Sequence, residues 1–167
     1  MDIIEKVTVA YVPLEDRLRL SVQAKKTEPY VLWLTARLGI SIVTAIMKNL
    51  DNVEPVHRRK EQKVYQQWEQ SSALHKLKAT ASVEVSTAQE DLVQTVDISI
   101  QGGNYILTFR GVKKSSARLT LTAVQMRQWL QIVYVQFQKA KWPMAVWPAW
   151  FDRGGIADRP LPSTVLH

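Results

Sequence analysis

Apolar and polar residues alternate in two short segments near the start of the chain, residues 7–11 and 18–22. Alternation with a period of two predicts strands with one buried face. Residues 30–34 are apolar at every position, which predicts a strand that is central or covered on its outer face. Thr35 then precedes a helical pattern that runs to about Leu50, and a threonine there predicts a helix N-cap. The first fifty residues therefore predict three strands followed by a helix.

A similar succession returns 87 positions later. Leu18 aligns with Tyr105 and Leu20 with Leu107. Alternating residues 96–100 and 105–109 flank a glycine-rich turn, residues 119 and 121 continue the pattern, and Thr122 opens a Thr-x-x-Gln capping box before a helix to about residue 141. We therefore expect an α+β fold that consists of a duplicated strand-strand-strand-helix unit with antiparallel sheets.

The segments between and after the two copies have a different character. Residues 55–78 predict a long basic connecting helix whose apolar anchors include Val64, Tyr65 and Trp68, and residues 79–91 predict a loop with a short strand at 83–85. Four prolines after residue 141 predict an irregular Trp/Pro-rich C-terminal tail. The expected organisation is one domain, 1–141, in which repeats 1–51 and 92–141 are joined by a helix and loop, 55–91, and followed by a tail, 142–167.

Side chains typical of catalytic or metal sites are scarce. The 167 residues include no cysteine, which excludes disulfides, thiolate zinc sites and cysteine nucleophiles. His57 and His75 lie eighteen positions apart on one predicted helix, about 27 Å at 1.5 Å per residue, so they cannot share a metal ion within one chain. The phosphate-binding, dinucleotide and nucleophile-elbow motifs do not occur. We expect a protein that is not an enzyme and that needs no cofactor and no metal.

The location of the protein is expected to be cytoplasmic. The N-terminal residues lack the basic and apolar regions of a signal peptide, and the longest apolar stretch, residues 38–47, is too short to span a bilayer. The absence of cysteine fits a reducing compartment. We expect no membrane association.

Positive charge is the strongest indication of a partner. The net charge is +7 and the isoelectric point is about 9.7, which favours a polyanion. Basic residues recur on the predicted outer strand faces, at two equivalent hairpins and on the connecting helix. Arginines beside an aromatic ring on a sheet can bind single-stranded nucleic acid. The candidate nucleic-acid-binding residues are Arg17, Arg19, Lys25, Lys26, Trp33, Arg58, Arg59, Lys60, Lys63, Arg110, Lys113, Lys114 and Arg118. Alternatively, the hairpin lysines only keep strand edges soluble, and Trp33 is covered by the connecting helix or the tail.

Large aromatic residues in the tail suggest a second kind of partner. Trp142, Trp147, Trp150 and Phe151 lie among prolines, and such apolar surface is not normally left in water. They predict packing on this chain, on a twin or on a partner protein. Together with a first helix that is apolar on most of its circumference, they favour a homo-oligomer. The leading hypothesis is a non-enzymatic, single-strand-preferring nucleic-acid-binding protein. The alternative is an interaction subunit or adaptor, including a phage or host-defence accessory protein, that docks through the tail.

Two resemblances accompany these patterns. The segments Glu15-Asp-Arg-Leu-Arg-Leu and Leu32-Trp-Leu-Thr-Ala-Arg-Leu, with a last helix ending Gln-Lys-Ala-Lys-Trp142, resemble an uncharacterised family of small bacterial proteins, which implies no function. The doubled strands-then-helix plan is similar to the Whirly and positive-cofactor-4-like folds that bind single-stranded nucleic acid. Those folds have four strands per unit, whereas three are predicted here. This second resemblance implies a sheet surface that binds single strands.

Overall fold

The computed structural model describes residues 1–52, 59–153 and 165–166. Its strands are β1 (Asp2–Val12), β2 (Arg17–Ala24), β3 (Tyr30–Leu34), β4 (Glu90–Gln101), β5 (Asn104–Gly111), β6 (Ser116–Leu121) and β7 (Val165–Leu166). Its helices are α1 (Ala36–Asn52), α2 (Arg59–His75), α3 (Ala123–Ala140) and α4 (Ala149–Arg153). The α+β class expected from the sequence is confirmed, and most strand pairs are antiparallel.

The six longer strands form a ring of pairings. β1, β2 and β3 are antiparallel neighbours, as are β4, β5 and β6. Two short parallel pairings connect these meanders: residues 31–33 of β3 pair with 90–92 of β4, and residues 2–3 of β1 pair with 117–118 of β6. We call them the β3–β4 joint and the β1–β6 joint. Because every strand of the six has two neighbours, the ladder returns to its starting strand.

The strand patterns explain which side chains enter the core. Leu18, Leu20 and Leu34 are almost fully buried, as the alternation predicts. The β4–β5 turn consists of Gly102 and Gly103, whose φ angles of 56° and 78° are the left-handed values that a two-residue type I′ turn needs. Buried residues of both meanders and of α1 and α3 belong to one hydrophobic cluster. Strands and helices of the two sequence halves therefore share a core.

Helices α1 and α3 begin at the predicted threonines. Leu38 N–H donates to Thr35 Oγ1 over 3.4 Å at the start of α1. At α3, Thr122 and Gln125 form a complete capping box, with each side chain accepting from the other residue's backbone N–H. α1 contacts β4, and α3 contacts β1. Each helix therefore packs against the first strand of the other meander.

Two local predictions are wrong. Residues 83–85 do not form a strand, because the whole segment 77–89 lacks regular structure and crosses the outer face of the β1–β2–β3 meander. The segment after residue 141 is not wholly irregular, because it contains the short helix α4 and the two-residue strand β7, which pairs with β1. The sequence predicts the connecting helix over residues 55–78. Among the described residues it spans Arg59–His75, and residues 53–58 lie outside the described part of the chain.

Candidate nucleic-acid interface

Arg19 and Trp33 lie side by side on the outer face of the β1–β2–β3 meander. They are direct cross-strand partners in the β2–β3 pairing, and each side chain is partly exposed. Both line an open groove with a volume of about 370 Å³. Its other lining residues are Val12, Val31, Thr87, Ala88, Gln89 and Glu90. We call this cavity the outer groove.

The irregular segment 77–89, here called the strap, forms one wall of the outer groove. Val83 N–H donates to Thr8 Oγ1 over 2.9 Å, and Thr87 Oγ1 donates to the Pro29 carbonyl over 2.8 Å. Val31 N–H donates to the Gln89 carbonyl over 3.0 Å, and Val31 itself is buried. The strap therefore covers the outer surface near Val31, whereas the expected cover was the connecting helix or the tail.

The indole of Trp33 is held in place at the β3–β4 joint. Its Nε1–H donates to Glu90 Oε2 over 2.8 Å. Glu90 in turn accepts a hydrogen bond at its backbone carbonyl from Lys113 Nζ, over 3.0 Å. This bond brings Lys113 of the β5–β6 hairpin to the joint, close to the outer groove. The structure thus brings together three of the predicted residues: Arg19, Trp33 and Lys113. Lys114 is the next residue of the same turn and is exposed.

A buried carboxylate fixes the loop that carries these lysines. Asp91 accepts hydrogen bonds from Lys113 N–H (3.0 Å), Ser115 N–H (3.3 Å) and Ser115 Oγ–H (2.6 Å), an arrangement we call the Asp91 clasp. Burial alone would raise the pKa of Asp91, but the hydrogen bonds to its ionised form outweigh burial and hold the pKa below its usual value. A Cβ at Gly111 would overlap the Asp91 carboxylate, so a glycine is required beside the clasp.

Lys25 and Lys26 are located at the other parallel joint. Lys25 N–H donates to the Ile3 carbonyl over 3.1 Å, and Ile3 pairs with Arg118. Lys25 and Lys26 are exposed, whereas Arg118 is only partly exposed and its Nε is buried without a partner among the described residues. Lys25 and Lys113 therefore lie beside different parallel joints.

Several other predicted residues have local partners or no described side chain. Arg17 forms an ion pair with Glu15 at 3.6 Å, and Arg110 forms one with Asp97 at 2.9 Å. Lys63 is exposed on α2. Arg59 and Lys60 begin α2, but their side chains lie outside the described part of the structure, as does Arg58 altogether.

The four tail aromatics predicted to bind a partner are buried within this chain. Trp142, Trp147, Trp150 and Phe151 are at most 8% exposed. Trp142 packs edge-on against Tyr11 and Phe137, and its Nε1–H donates to Asp16 Oδ1 over 3.0 Å. Trp147 and Phe151 pack on Tyr134 of α3. Because they are buried in the chain's own core, these four side chains do not offer an exposed docking surface, and three of them pack on α3.

Helix α2 buries a polar face. Gln66 Nε2 donates to the Leu50 carbonyl over 2.7 Å, and Gln70 Nε2 donates to the Arg127 carbonyl over 2.9 Å. Arg127 Nη2 donates to Gln66 Oε1 over 2.6 Å, which joins α2 to α3. Burial lowers the pKa of Arg127. These glutamines complete carbonyl and guanidinium hydrogen bonds that would otherwise be unsatisfied in the interior.

Helix α2 exposes three large apolar side chains. Val64, Tyr65 and Trp68 are 66%, 45% and 64% exposed. Trp68 lies four positions after Val64 and three after Tyr65, so all three are on one side of the helix and form one continuous patch, here called the α2 patch. The sequence predicts these residues as the apolar anchors of the helix, because hydrophobic periodicity alone cannot show that glutamines occupy the buried side. An excess of glutamine on the face opposite the patch was the available signal.

Comparison of the chain with protein-family models, curated proteins and solved structures gives no match. Within residues 1–52, 59–153 and 165–166, no helix has the length and apolar character needed to cross a membrane. The same residues contain no group of three or more histidine, aspartate or glutamate side chains placed to hold a metal ion. Structural arguments must therefore carry any assignment of function.

Proposed function

We propose that this chain is a nucleic-acid-binding protein that prefers single strands. The observation that carries the proposal is the outer groove, in which Arg19 and Trp33 are adjacent and beside which Lys113 lies, followed in the same turn by the exposed Lys114. An aromatic ring can stack on an unpaired base, and cations around it neutralise phosphates. In a duplex the base faces are already stacked, so this combination favours a single strand.

The Trp33 hydrogen bond suits a stacking role. The indole N–H lies in the ring plane, so its bond to Glu90 fixes the ring without using the ring faces. Glu90 and the ionised Asp91 carry two negative charges at this place. Arg19, Lys113 and Lys114 together carry three positive charges, so the local net charge is +1. Among the described residues, none of these three cations forms an ion pair.

Fluorescence polarisation with labelled oligonucleotides tests the proposal. Single- and double-stranded probes would be titrated at two salt concentrations. Each phosphate contact on a single strand contributes about −0.7 to the slope of log affinity against log salt, so a double Lys113→Gln/Lys114→Gln variant should flatten the slope by about 1.4. The matched control is Lys48→Gln/Lys139→Gln, which removes the same charge from exposed positions on α1 and α3. Absence of binding at low salt, or equal effects of both double variants, refutes the proposal.

Trp33 itself can be tested by comparing two substitutions. Both Trp33→Phe and Trp33→Leu remove the hydrogen bond to Glu90, but only phenylalanine keeps an aromatic face. If a base stacks on this ring, the leucine variant should bind more weakly than the phenylalanine variant, by on the order of tenfold, since stacking contributes about 1–3 kcal/mol per base. Equal affinities of the two variants would place the bases elsewhere.

The duplicated strand-strand-strand-helix unit is part of the same proposal. Arg17 and Asn104, the first residues of β2 and β5, are 87 positions apart, and the two strands have the same succession of buried and exposed residues. Both first strands have an irregularity near their start, between Ile4 and Lys6 and between Val93 and Thr95. The β1–β2 and β4–β5 ladders therefore have equivalent registers.

Equivalent hydrogen bonds join the second hairpin of each unit to its first strand. Lys25 N–H donates to the Ile3 carbonyl, and Val112 N–H donates to the Leu92 carbonyl. Both bonds lie beside a parallel joint. A duplicated unit would place Lys25–Lys26 and Lys113–Lys114 at related positions, so a strand bound at one joint would have a second basic point at the other.

A second candidate function is that of a protein-interaction subunit, and the α2 patch favours it. Three adjacent exposed apolar side chains on one helix are typical of a helix-mediated protein contact. If the patch is the docking site, Trp68→Ser should abolish recovery of the partner with the full-length chain. Leu14→Ser is the matched control, because Leu14 is an isolated apolar turn residue that is 98% exposed. Loss in both variants would contradict docking on α2.

A further inference from the structure

The outer edge of β4 is unpaired along most of its length. Residues 93–101 pair with β5 on one side, whereas on the other side only residues 90–92 pair with β3. Within the described chain, residues 94–101 therefore have a free edge, and six of these eight residues are exposed. The sequence Gln-Thr-Val-Asp-Ile-Ser-Ile-Gln has no lysine or proline, the residues that usually protect an edge from pairing.

The direction of the free backbone groups follows from the β4–β5 ladder. Gln101 and Asn104 flank the two-residue turn and form its first pair. Antiparallel pairs alternate between hydrogen-bonded and non-hydrogen-bonded, so the N–H and C=O groups of Val96, Ile98 and Ile100 point away from β5. These three residues have their side chains on one sheet face, and Val96 and Ile98 pack partly on the core. The edge thus presents an alternating strand with its hydrogen-bonding groups unused.

The corresponding edge of β1 shows that the fold accepts a strand at such a position. β7 pairs antiparallel with β1 at Val7 and Thr8. Relative to the irregularity near the start of each strand, Val7 corresponds to Val96 of β4. β4 has no counterpart of β7 among the described residues.

We propose that the free edge of β4 binds the β4 edge of a second copy of this chain, across a twofold axis at Ile98. In this antiparallel register Ile98 faces its own copy, and Val96 faces Ile100 of the second molecule. Three hydrogen-bonded pairs then form, with six backbone bonds between the copies. Val96, Ile98 and Ile100 of one molecule then lie on the same sheet face as the same residues of the other. This complementarity favours a second copy over an unrelated peptide.

Charge also fits this register. Asp97 is the only charged residue between positions 94 and 101. The twofold arrangement places it opposite Ser99 of the other molecule, so the two carboxylates do not face each other. A register with its twofold axis at Asp97 would place them directly opposite, and like charges at such positions destabilise a sheet.

Substitutions of Ser99 test the interface in both directions. Ser99→Lys places a lysine opposite Asp97 of the second copy twice per dimer, and Ser99→Asp places a second carboxylate there. By analytical ultracentrifugation over a range of protein concentrations, the lysine variant should dimerise more tightly and the aspartate variant more weakly, each by about threefold to tenfold. Simple repulsion between positively charged monomers predicts the opposite order. A monomer at all concentrations, or the opposite order, overturns the proposal.

A disulfide test fixes the register. The chain contains no cysteine, so Ile98→Cys introduces one thiol. Hydrogen-bonded antiparallel partners have Cα atoms about 5.5 Å apart, which is within disulfide range. Mild oxidation should link two copies through position 98 but not through the control Ile106→Cys, which is on β5 away from the edge. Dimers of the unsubstituted chain without a link at position 98, or dimers lost on deletion of residues 165–167, would assign the contact to another surface.

Discussion

Replacement of Asp91 by asparagine should destabilise the protein measurably. The carboxylate is 5% exposed and accepts from Lys113 N–H, Ser115 N–H and Ser115 Oγ–H at 2.6 to 3.3 Å. Lys113 N–H also lies 3.1 Å from the second oxygen, Oδ2, which accepts from both Ser115 donors. Asparagine with its oxygen at the Oδ2 position keeps an acceptor for all three donors, but its amide group replaces Oδ1 and points at the Lys113 N–H. Hydrogen bonds to charged groups contribute about 1.5–3 kcal/mol each, and one such contact is lost, so we expect a total cost of about 2 kcal/mol.

Urea unfolding monitored by circular dichroism measures this cost, provided the m-value is unchanged. For a chain of this size, about 2 kcal/mol corresponds to a decrease in Tm of about 4–8 °C. Glu28→Gln provides the control, because it makes the same charge change at an exposed hairpin position. It should change the unfolding free energy by less than about 0.5 kcal/mol.

The pH dependence provides a second check on the Asp91 clasp. The pKa of Asp91 is lower in the folded than in the unfolded chain, so the unfolded state binds more protons between the two values. The stabilisation is therefore complete above the unfolded pKa of about 3.9 and is lost as the pH falls through the folded pKa. The difference between wild type and Asp91→Asn should be constant from pH 6 to 8 and shrink below about pH 4. A variant as stable as wild type at pH 7, or a pH-independent difference throughout, refutes this reasoning.

Three further substitutions test packing and capping. Gly111→Ala should cost more than about 2 kcal/mol in urea unfolding, because the new methyl group overlaps the Asp91 carboxylate; a neutral result would show that the loop moves freely. Thr122→Ala should lower the unfolding free energy by about 1 kcal/mol, since it removes half of a capping box, and Thr122→Ser should restore most of it. Phe151→Ala should cost about 3–5 kcal/mol, because this ring is fully buried against α3, and a cost below 1 kcal/mol would mean that the tail does not stay docked.

Strand and helix positions were predictable where one face of an element is buried by apolar residues. The strands containing Leu18 and Tyr105 and the helices after Thr35 and Thr122 lie where periodicity and capping residues place them. The parallel joints were not predictable, because no local pattern indicates which distant strands become neighbours. The joints determine which basic residues lie close together. The sequence therefore predicts the candidate residues but not their arrangement in space.

Helix α2 shows a different limit of pattern analysis. Its buried face is held by side-chain amides that bond to carbonyls of α1 and α3, and the three apolar side chains of the α2 patch point outward. The sequence shows which residues such a helix contains but not which of its two faces is buried. The tail shows the reverse situation: the burial of its tryptophans was expected, whereas the receptor, α3 with Tyr11, depended on the tertiary fold.

The exchange of helix contacts between the two meanders has a consequence for folding. Helices α1 and α3 each pack on the first strand of the other meander, and contacts such as Tyr11 N–H to Gln136 Oε1 span 125 positions. Neither half can complete its own core before the other half is synthesised, and chains dominated by distant contacts fold slowly. The ring should therefore close in a late step, and a nascent N-terminal half would leave the ribosome with its apolar strand faces still uncovered.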